Sequence, residues 1–366
     1  MNSLFDSLPF ARGPAWKNRF MLAPLTNLQS HGDGRLSDDE FNWLSYRASG
    51  GFGLVMTCAA HVQRVGQGFP GQLGIYSDEM LCGLTRLATA IHAAGAVSAV
   101  QLHHAGIRSP AELIGEQARG PSDDAALKAR ALSEGEIEML IEDFVAAAMR
   151  ADKAGFDGVE LHGAHGYMLC AFLSPQTNRR TDRYGGSLAN RARIIFEIVD
   201  GVRRATRPEF QLGLRLSPER FGLSLAEQRA IAGEFLACGR LDYLDMSLWD
   251  TFKKPMETEF AAKPLIDWFT DLSRAKTRLG VAGKLMSAQD CQRVLAHGAD
   301  FPILGRAAIL HHDFPRRAAV DPNFHAKPLP VTREYLEQER LGPAFINYMS
   351  GWKGFVLENT PVTAAE

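Results

Sequence analysis

Two histidines and a tyrosine follow one short apolar segment and form a candidate site for catalytic chemistry. The segment GVELH begins at Gly158 and ends at His162, and His165 and Tyr167 come directly after it. Imidazole and phenol groups can both exchange protons and form hydrogen bonds, so this cluster could act in catalysis. Two other interpretations stay open from these residues alone: hydrogen-bonded structural histidines, or part of a metal site. No H-E-x-x-H or H-x-H pattern accompanies them, and we therefore predict no metal.

The elements that must position these residues are short apolar strands alternating with longer helical patterns. Such alternation predicts a parallel sheet, and eight units can close into a barrel with its site at the C-terminal ends of the strands. We predict an α/β fold, a single (β/α)8 TIM barrel with long active-site loops and a C-terminal tail. An open doubly wound sheet is the competing architecture. The predicted strands are FMLAPL from Phe20, GLVMTC from Gly53, AVSAVQL from Ala96, GVELH from Gly158, QLGLRL from Gln211, DYLDMS from Asp242, GVAG from Gly280 and FPILG from Phe301.

The best-specified helix lies between the third and fourth strands. Ser133 and Glu136 have the spacing of a capping box, and the helical pattern ends at Gly155. A second helix is predicted around residues 80–94. The apolar face of the first helix comprises Ile137, Leu140, Ile141, Phe144, Val145 and Ala148.

Two connecting segments, residues 105–132 and 247–264, are too long for ordinary barrel connections. Long loops on the active-site face are usually lids or binding loops, so we expect them to border the site. Trp249 and Lys253 in the second segment are candidate pocket residues, although Trp249 could equally be an exposed anchor. We assign residues 1–366 to a single domain and expect residues 313–366, a C-terminal extension, to pack on the barrel or on a neighbouring subunit.

Charge and cysteine content exclude several classes of protein. The 40 basic and 42 acidic side chains give a net charge of −2 without a basic tract, so no nucleic acid partner is expected. No leader-like segment and no apolar stretch of membrane-spanning length occurs, which predicts a cytoplasmic protein that does not contact a membrane. The five cysteines form no C-x-x-C pair, and we interpret all five as small buried hydrophobic residues.

The segment GQGFPG at residues 66–71 has the glycine spacing of a dinucleotide-binding turn. A genuine fingerprint opens a helix directly after a strand, whereas Pro70 interrupts this one and no helical pattern follows. We predict a turn-rich loop here. No phosphate loop ending in Gly-Lys-Ser/Thr is present, so NTP hydrolysis has no support.

Several motifs fall in order at the ends of successive predicted strands: NRFMLAPLTN, VQLHHAG, HGAHGY, LGLRLSP, GKLM and LGRAAI. From about residue 18 to residue 306, the chain resembles the Old Yellow Enzyme family of FMN-dependent ene-reductases. The resemblance implies bound FMN, with His162 and His165 as the substrate-anchoring pair and Tyr167 as the proton donor. The FMN-binding residues that it implies are Ala23, Pro24, Leu25, Thr26, Ala59, Gln101, Arg215, Gly283, Lys284, Gly305 and Arg306.

Elementary chemistry agrees with this implied FMN site. Barrels commonly bind phosphate after strands seven and eight, where backbone N–H groups and Arg306 can meet a dianion. The amide of Gln101 can match the donor and acceptor atoms of a flavin pyrimidine, and Arg215 can stabilise negative charge on the reduced ring. The family motif HAGR reads HAGIR here, which leaves open whether Arg108 replaces the expected arginine.

The implied activity is an FMN-dependent NAD(P)H oxidoreductase that reduces the C=C bond of activated alkenes such as enones, enals and nitroalkenes. NADPH or NADH would reduce the flavin and leave before the alkene enters, which requires no Rossmann domain. An N-demethylase or amine dehydrogenase of the same flavin barrel is an alternative. A non-catalytic flavin-binding protein is an alternative of another class, and a homo-oligomer is possible for each of them.

Overall fold

A computed structural model describes residues 3–357 of the chain. Residues 358–366 of the expected C-terminal extension, and residues 1–2 of the expected domain, lie outside the described residues.

Eight parallel strands form a closed barrel, in which each strand pairs with the next barrel strand along the chain and the first pairs with the last. The predicted (β/α)8 fold is therefore confirmed, and the open doubly wound sheet is excluded. Every predicted strand occurs, although the first is shorter than FMLAPL because the chain leaves the barrel at Ala23 and Pro24. The barrel strands are β1 (Met21–Leu22), β2 (Leu54–His61), β3 (Val97–His103), β6 (Gly158–Gly163), β7 (Gln211–Leu216), β8 (Tyr243–Ser247), β9 (Arg278–Ala282) and β10 (Phe301–Leu304), while β4 (Arg119–Gly120) and β5 (Arg130–Ala131) pair outside it.

The helices pack around the barrel and cover the outer faces of its strands. Both halves of the predicted capping box at Ser133 and Glu136 are present, and four of the six predicted apolar positions on that helix are buried, with Ile141 and Val145 half-buried. The second predicted helix is also confirmed. The helices are α1 (Asp38–Ser49), α2 (Leu81–Ala93), α3 (Ala111–Ile114), α4 (Glu134–Lys153), α5 (Met168–Leu173), α6 (Leu188–Ala205), α7 (Leu225–Ala237), α8 (Asp267–Thr270), α9 (Ala288–Ala296), α10 (Arg306–Leu310), α11 (Phe314–Val320), α12 (Arg333–Gln338) and α13 (Pro343–Ser350).

The N-terminal segment closes the end of the barrel where the strands begin. Leu8 and Trp16 pair in a short antiparallel bridge, and the Trp16 indole is fully buried. Its ring packs edge-on against Tyr243 and Phe301, which start β8 and β10, with centroid separations of 5.7 Å and 4.8 Å. The indole N–H also donates to Oε1 of Gln211 at 3.2 Å. The opposite end of the barrel is thereby left to the site.

The C-terminal segment lies against α1 and α10. Arg47 of α1 is fully buried, and its guanidinium donates to the carbonyl oxygens of Glu339 at 2.6 Å and Ala308 at 3.2 Å. The ring of Phe345 in α13 packs edge-on against Trp43 with a centroid separation of 5.4 Å. These contacts hold α13 beside the end of the barrel where the site residues lie.

Several smaller predictions can also be compared with the structure. The segment at residues 66–71 is a turn-rich loop, as predicted. The interpretation of all five cysteines as buried is wrong for two of them, because Cys82 lies on the outward face of α2 and is exposed, and Cys238 at the end of α7 is half-buried. Within residues 3–357, no helix is long and apolar enough to cross a membrane.

Candidate active site

A cavity of about 760 Å³ opens at the C-terminal ends of the barrel strands. Every residue that the sequence indicated for catalysis or FMN binding lies in its wall, although these residues come from seven of the eight barrel strands and the turns that follow them. Both long connecting segments also reach it. The predicted residues in the wall are Ala23, Pro24, Leu25, Thr26, Ala59, Gln101, His162, His165, Tyr167, Arg215, Gly283, Lys284, Gly305 and Arg306.

A chain of hydrogen bonds fixes the protonated nitrogen of each histidine in the HGAHGY motif. The backbone N–H of Ala164 donates to Nδ1 of His162 at 3.3 Å, so Nε2 carries the proton of a neutral His162. That nitrogen lies 3.2 Å from Nδ1 of His165, which accepts the bond. His165 is then protonated at Nε2, 2.8 Å from the hydroxyl oxygen of Ser247. The N–H groups of the two histidines therefore point the same way along this series of hydrogen bonds, from His162 towards Ser247.

Both histidines are neutral at physiological pH. Burial lowers the pKa of His162 well below its usual value, and the nearby His165 and Arg215 lower it further. Burial also lowers the pKa of His165, with Arg215 and Arg108 acting in the same direction. A depressed histidine pKa means that this part of the folding free energy is present above the usual pKa and is lost as the pH falls. At pH 7 both rings are thus donors that carry no charge.

A third buried imidazole, His103, lies in the same wall at the end of β3. The side-chain amide nitrogen of Gln72 donates to the carbonyl oxygen of Ala59 at 2.8 Å and lies 3.0 Å from Nδ1 of His103. Because that nitrogen is a donor, Nδ1 accepts and Nε2 of His103 carries the proton. Nε2 is buried without a hydrogen-bond partner in the described structure. The His103 ring packs edge-on against Tyr167 with a centroid separation of 4.4 Å.

Tyr167 lies beside both histidines and under an arginine. Its ring centroid is 5.1 Å from that of His162, and the guanidinium carbon of Arg108 is 4.9 Å from the same ring. Arg108 is held there because its Nη1 donates to the carbonyl oxygen of His165 at 2.6 Å. Burial raises the pKa of Tyr167, whereas the charge of Arg108 opposes the rise. The phenol therefore stays protonated at neutral pH and can donate.

The floor of the cavity is a buried group of polar side chains on β3, β6, β7 and β8. The amide nitrogen of Gln101 donates to Oε1 of Glu160 at 2.8 Å, and Nε of Arg215 lies 3.1 Å from Oδ2 of Asp245. Burial raises the pKa of Glu160, and the neighbouring Asp245 raises it further. Burial also raises the pKa of Asp245, although Arg215 opposes that rise. The bond to Glu160 turns the amide oxygen of Gln101 away from Glu160 and leaves it without a protein partner in the described structure.

The turns after β9 and β10 form the other end of the cavity. Gly305 precedes α10, whose first turn has no side-chain cap, and a Cβ atom at this glycine would come to 3.5 Å from Leu25. The Arg306 guanidinium has no hydrogen-bond or ion-pair partner among residues 3–357. Lys284 differs, because its ammonium lies 2.9 Å from the carboxylate of Asp250.

Backbone strain is concentrated around this cavity. Eight non-glycine residues in the described chain have positive φ, and five of these line the cavity wall. Such conformations cost free energy and persist where the surrounding structure holds them, as at functional sites. The five are His165, Arg220, Phe221, Trp249 and Lys284, with φ of 64°, 71°, 55°, 62° and 50°.

The sequence did not indicate several residues of the wall. His103 could have been found, because it follows Gln101 by two positions on the same strand and therefore points to the same side. The aromatic residues Tyr348 and Trp352 carried no local signal. Arg108, Ser247 and Asp250 belong to the two long segments that were expected to border the site. The remaining wall residues outside the prediction include Phe69, Arg220, Phe221, Met286, Ile309 and Met349.

Comparison with known proteins identifies the family. A model of the NADH:flavin oxidoreductase / NADH oxidase family matches residues 3–323. The chain belongs to this family. It is 38% identical over 335 residues to the probable NADH-dependent flavin oxidoreductase YqiG of Bacillus subtilis, a match that covers 88% of this chain and 87% of YqiG.

Solved structures agree with the family assignment. The Old Yellow Enzyme homologue of Zymomonas mobilis is 28% identical with a TM-score of 0.78, over 95% of this chain and 99% of that structure. Morphinone reductase in complex with tetrahydroNAD is 29% identical with a TM-score of 0.78, over 98% and 99% of the two chains. The resemblance to the Old Yellow Enzyme family is thus confirmed, and the protein is an FMN-dependent NAD(P)H oxidoreductase.

The cavity of this family member fits FMN. An unpaired guanidinium at Arg306 beside an uncapped helix start suits a phosphate dianion. The amide oxygen of Gln101, which accepts no hydrogen bond from the protein in the described structure, suits an N–H donor of the flavin pyrimidine. Gly305 leaves the space that a larger side chain would occupy. The unpaired polar groups at the two ends of the cavity therefore match the two polar ends of one FMN molecule.

Proposed function

We propose that this oxidoreductase reduces the C=C bond of activated alkenes, namely enones, enals and nitroalkenes, with NADH or NADPH as the reductant. The observation that carries the proposal is the joint placement of His162, His165 and Tyr167 in one cavity wall. The centroid of the His162 ring lies 5.0 Å from that of His165 and 5.1 Å from that of Tyr167. Two neutral N–H donors and a protonated phenol are thus grouped together. A protein that only stored or sensed flavin would have no use for this set.

The two histidines would bind the carbonyl or nitro oxygen of the alkene. In the described structure, the N–H group of His162 donates to His165, and the N–H group of His165 donates to Ser247. An oxygen atom of the substrate would take the place of those acceptors, and the bonds would strengthen as negative charge develops on it. Because both rings are neutral, no buried cation has to be neutralised when the cavity is empty. FMN, when bound and reduced by NAD(P)H, would supply the hydride that goes to the β-carbon.

Tyr167 would complete the reaction by donating its hydroxyl proton to the α-carbon of the alkene. Arg108 lies against the phenol ring, and its charge stabilises the phenolate that remains after proton transfer. Solvent then returns a proton to Tyr167, since its side chain is only partly buried.

Anaerobic half-reactions test the proposal. NADH or NADPH is expected to bleach the yellow holoenzyme, and a cyclic enone added afterwards is expected to restore the flavin absorbance with formation of the saturated ketone. Failure of enones, enals and nitroalkenes to reoxidise the reduced enzyme would overturn the proposal. Reduction of the flavin by a secondary or tertiary amine, without NAD(P)H, would instead favour the amine-oxidising relatives of the same barrel.

A further inference from the structure

Besides Arg306, two arginines in the cavity wall have no acidic partner among residues 3–357. Arg108 and Arg220 both line the cavity, and within the described chain neither guanidinium lies within ion-pair distance of a carboxylate. Three other cations of the same wall are neutralised by carboxylates. These pairs are Arg215 with Asp245, Lys253 with Glu219, and Lys284 with Asp250.

The two free arginines flank the candidate catalytic residues. Arg108 is bonded to the carbonyl oxygen of His165 and lies over the ring of Tyr167. On the other side, the Trp249 ring is 6.3 Å from the His165 ring, and the guanidinium carbon of Arg220 is 4.5 Å from the Trp249 centroid. Both charges therefore lie at the part of the cavity where the alkene would bind. Arg306, after β10, lies at the other end.

The positive charge at this end of the cavity also acts on the histidines. Arg108 and Arg215 both lower the pKa of His162 and of His165 and so help to keep these rings neutral. Asp245 compensates the charge of Arg215. The charges of Arg108 and Arg220 have no such compensation, because no carboxylate of residues 3–357 lies within ion-pair distance of either guanidinium.

The backbone holds one of the two arginines in place. Arg220 and Phe221 both have left-handed φ values, and Gly222 continues the same turn at φ 73°. A residue other than glycine adopts this conformation at a cost in free energy, so the surrounding fold sets the direction in which the Arg220 side chain leaves the backbone. Stacking on the partly exposed Trp249 restricts it further.

From these observations we infer that Arg108 and Arg220 form a binding subsite for an anionic oxygen group of a molecule reacting in the cavity. Guanidinium groups bind carboxylates and phosphates through paired, charge-assisted hydrogen bonds. The inference rests on the proposed function for the first of two sources, a carboxylate carried by the activated alkene. The second source is a phosphate of NAD(P)H.

Equilibrium binding tests the subsite without turnover. The oxidised holoenzyme is titrated with 4-oxopentanoate and with its uncharged methyl ester, neither of which has a C=C bond to reduce, and the flavin absorbance is followed. The acid is expected to bind more tightly than the ester. Arg108→Gln and Arg220→Gln are each expected to weaken binding of the acid by about tenfold relative to binding of the ester, because one charge-assisted contact is lost.

Arg86→Gln is the matched control for these variants. Arg86 also stacks on an aromatic ring, with its guanidinium carbon 3.8 Å from the Phe41 centroid, but it lies outside the cavity wall. This variant is expected to keep the acid-to-ester ratio of the unmodified protein. An equal change in Arg86→Gln would show that the ratio responds to net charge, which would overturn the subsite.

Half-reactions separate the two sources of the anion. The matched pair 4-oxopent-2-enoate and its methyl ester reoxidises the reduced enzyme, and NADH or NADPH reduces the oxidised enzyme. If the two variants slow reoxidation by the acid but not by the ester, the subsite binds the carboxylate of the alkene. If they slow flavin reduction by NADH or NADPH instead, the subsite binds a phosphate of the coenzyme. If the two variants leave both half-reactions and the titration unchanged, the inference is overturned. If neither alkene reoxidises the flavin, the proposed function fails, while the titration with the saturated pair still decides the subsite.

Discussion

The side-chain amide of Gln101 donates to Oε1 of Glu160 across 2.8 Å in the fully buried floor of the cavity. The other carboxyl oxygen, Oε2, has no hydrogen-bond partner in the described structure. A buried carboxylate without further donors is costly, and burial accordingly raises the pKa of Glu160. The protonated carboxyl accepts the amide hydrogen and so sets which end of Gln101 faces the flavin site.

Glu160→Gln is expected to gain stability relative to the unmodified protein as the pH rises. The folded chain binds the Glu160 proton more tightly than the unfolded chain does, so stability is lost as the pH rises above the ordinary carboxyl range. A glutamine cannot ionise and avoids this loss. Melting temperatures measured from pH 5 to pH 9 should show a difference that grows in favour of Glu160→Gln.

Glu136→Gln is a control of opposite sign. The hydrogen bond from Arg130, together with the bonds from Ser133 and the charge of Arg130, lowers the pKa of Glu136 to about 2 although burial opposes the shift, so its carboxylate stabilises the fold above the ordinary carboxyl range. This variant is expected to lose stability at neutral pH and to approach the unmodified protein as the pH falls towards 2. A constant difference between Glu160→Gln and the unmodified protein across the same range would contradict the assigned pKa direction.

Arg306→Ala is expected to weaken FMN retention by about tenfold to a hundredfold, because a charge-assisted contact to phosphate is lost. Release of flavin on dilution, followed by fluorescence, measures this affinity. Lys284→Ala is the comparison, and its effect should be smaller because Asp250 already neutralises the lysine. Unchanged affinity in Arg306→Ala would move the phosphate to another part of the cavity.

The positions of the strands were predictable because barrel strands buried on both faces read as short apolar runs. Their order along the chain also placed the ends that carry Gln101, His162 and Arg215 at one face of the barrel. Local pattern gives the type of each element and the side to which alternate residues point. For His162 that information was sufficient, whereas Gln101 and Arg215 were indicated by the resemblance to the family.

The rest of the wall depends on contacts between distant parts of the chain. Tyr348 and Trp352 reach the cavity because α13 packs against Trp43, more than three hundred positions earlier. Arg220 faces the cavity because it lies in a left-handed turn that the local sequence does not predict. Glu160 read as a residue of a buried strand, and its partnership with Gln101 arises only when β3 and β6 become neighbours.

Tyr167→Phe keeps the ring and removes the proton. Reoxidation of the reduced enzyme by an enone or enal is expected to slow, since the α-carbon then lacks a positioned donor, while flavin reduction by NAD(P)H is expected to stay at its original rate. The hydride step to a nitroalkene should also be spared, because the nitronate product can wait for solvent. Stopped-flow measurement of both half-reactions checks this, and equal slowing of the two would mean that the cavity itself was disturbed.

Replacing both His162 and His165 by alanine is expected to slow the enone half-reaction by roughly 10²-fold or more, by analogy with loss of oxyanion donors. FMN should remain bound, because neither ring lies at the phosphate end of the cavity. Exposed His92, which pairs with Asp157 outside the cavity, provides the control substitution. Full alkene reduction in the double variant would refute the anchoring role.

The placement of α13 also bears on how the protein matures. All eight barrel strands are synthesised before Tyr348 and Trp352, which complete one side of the cavity. A growing chain on the ribosome can therefore close its barrel around the phosphate end while this side of the cavity is still missing. Until Tyr348 and Trp352 are in place, the cofactor has a wider approach to the cavity than the finished protein offers.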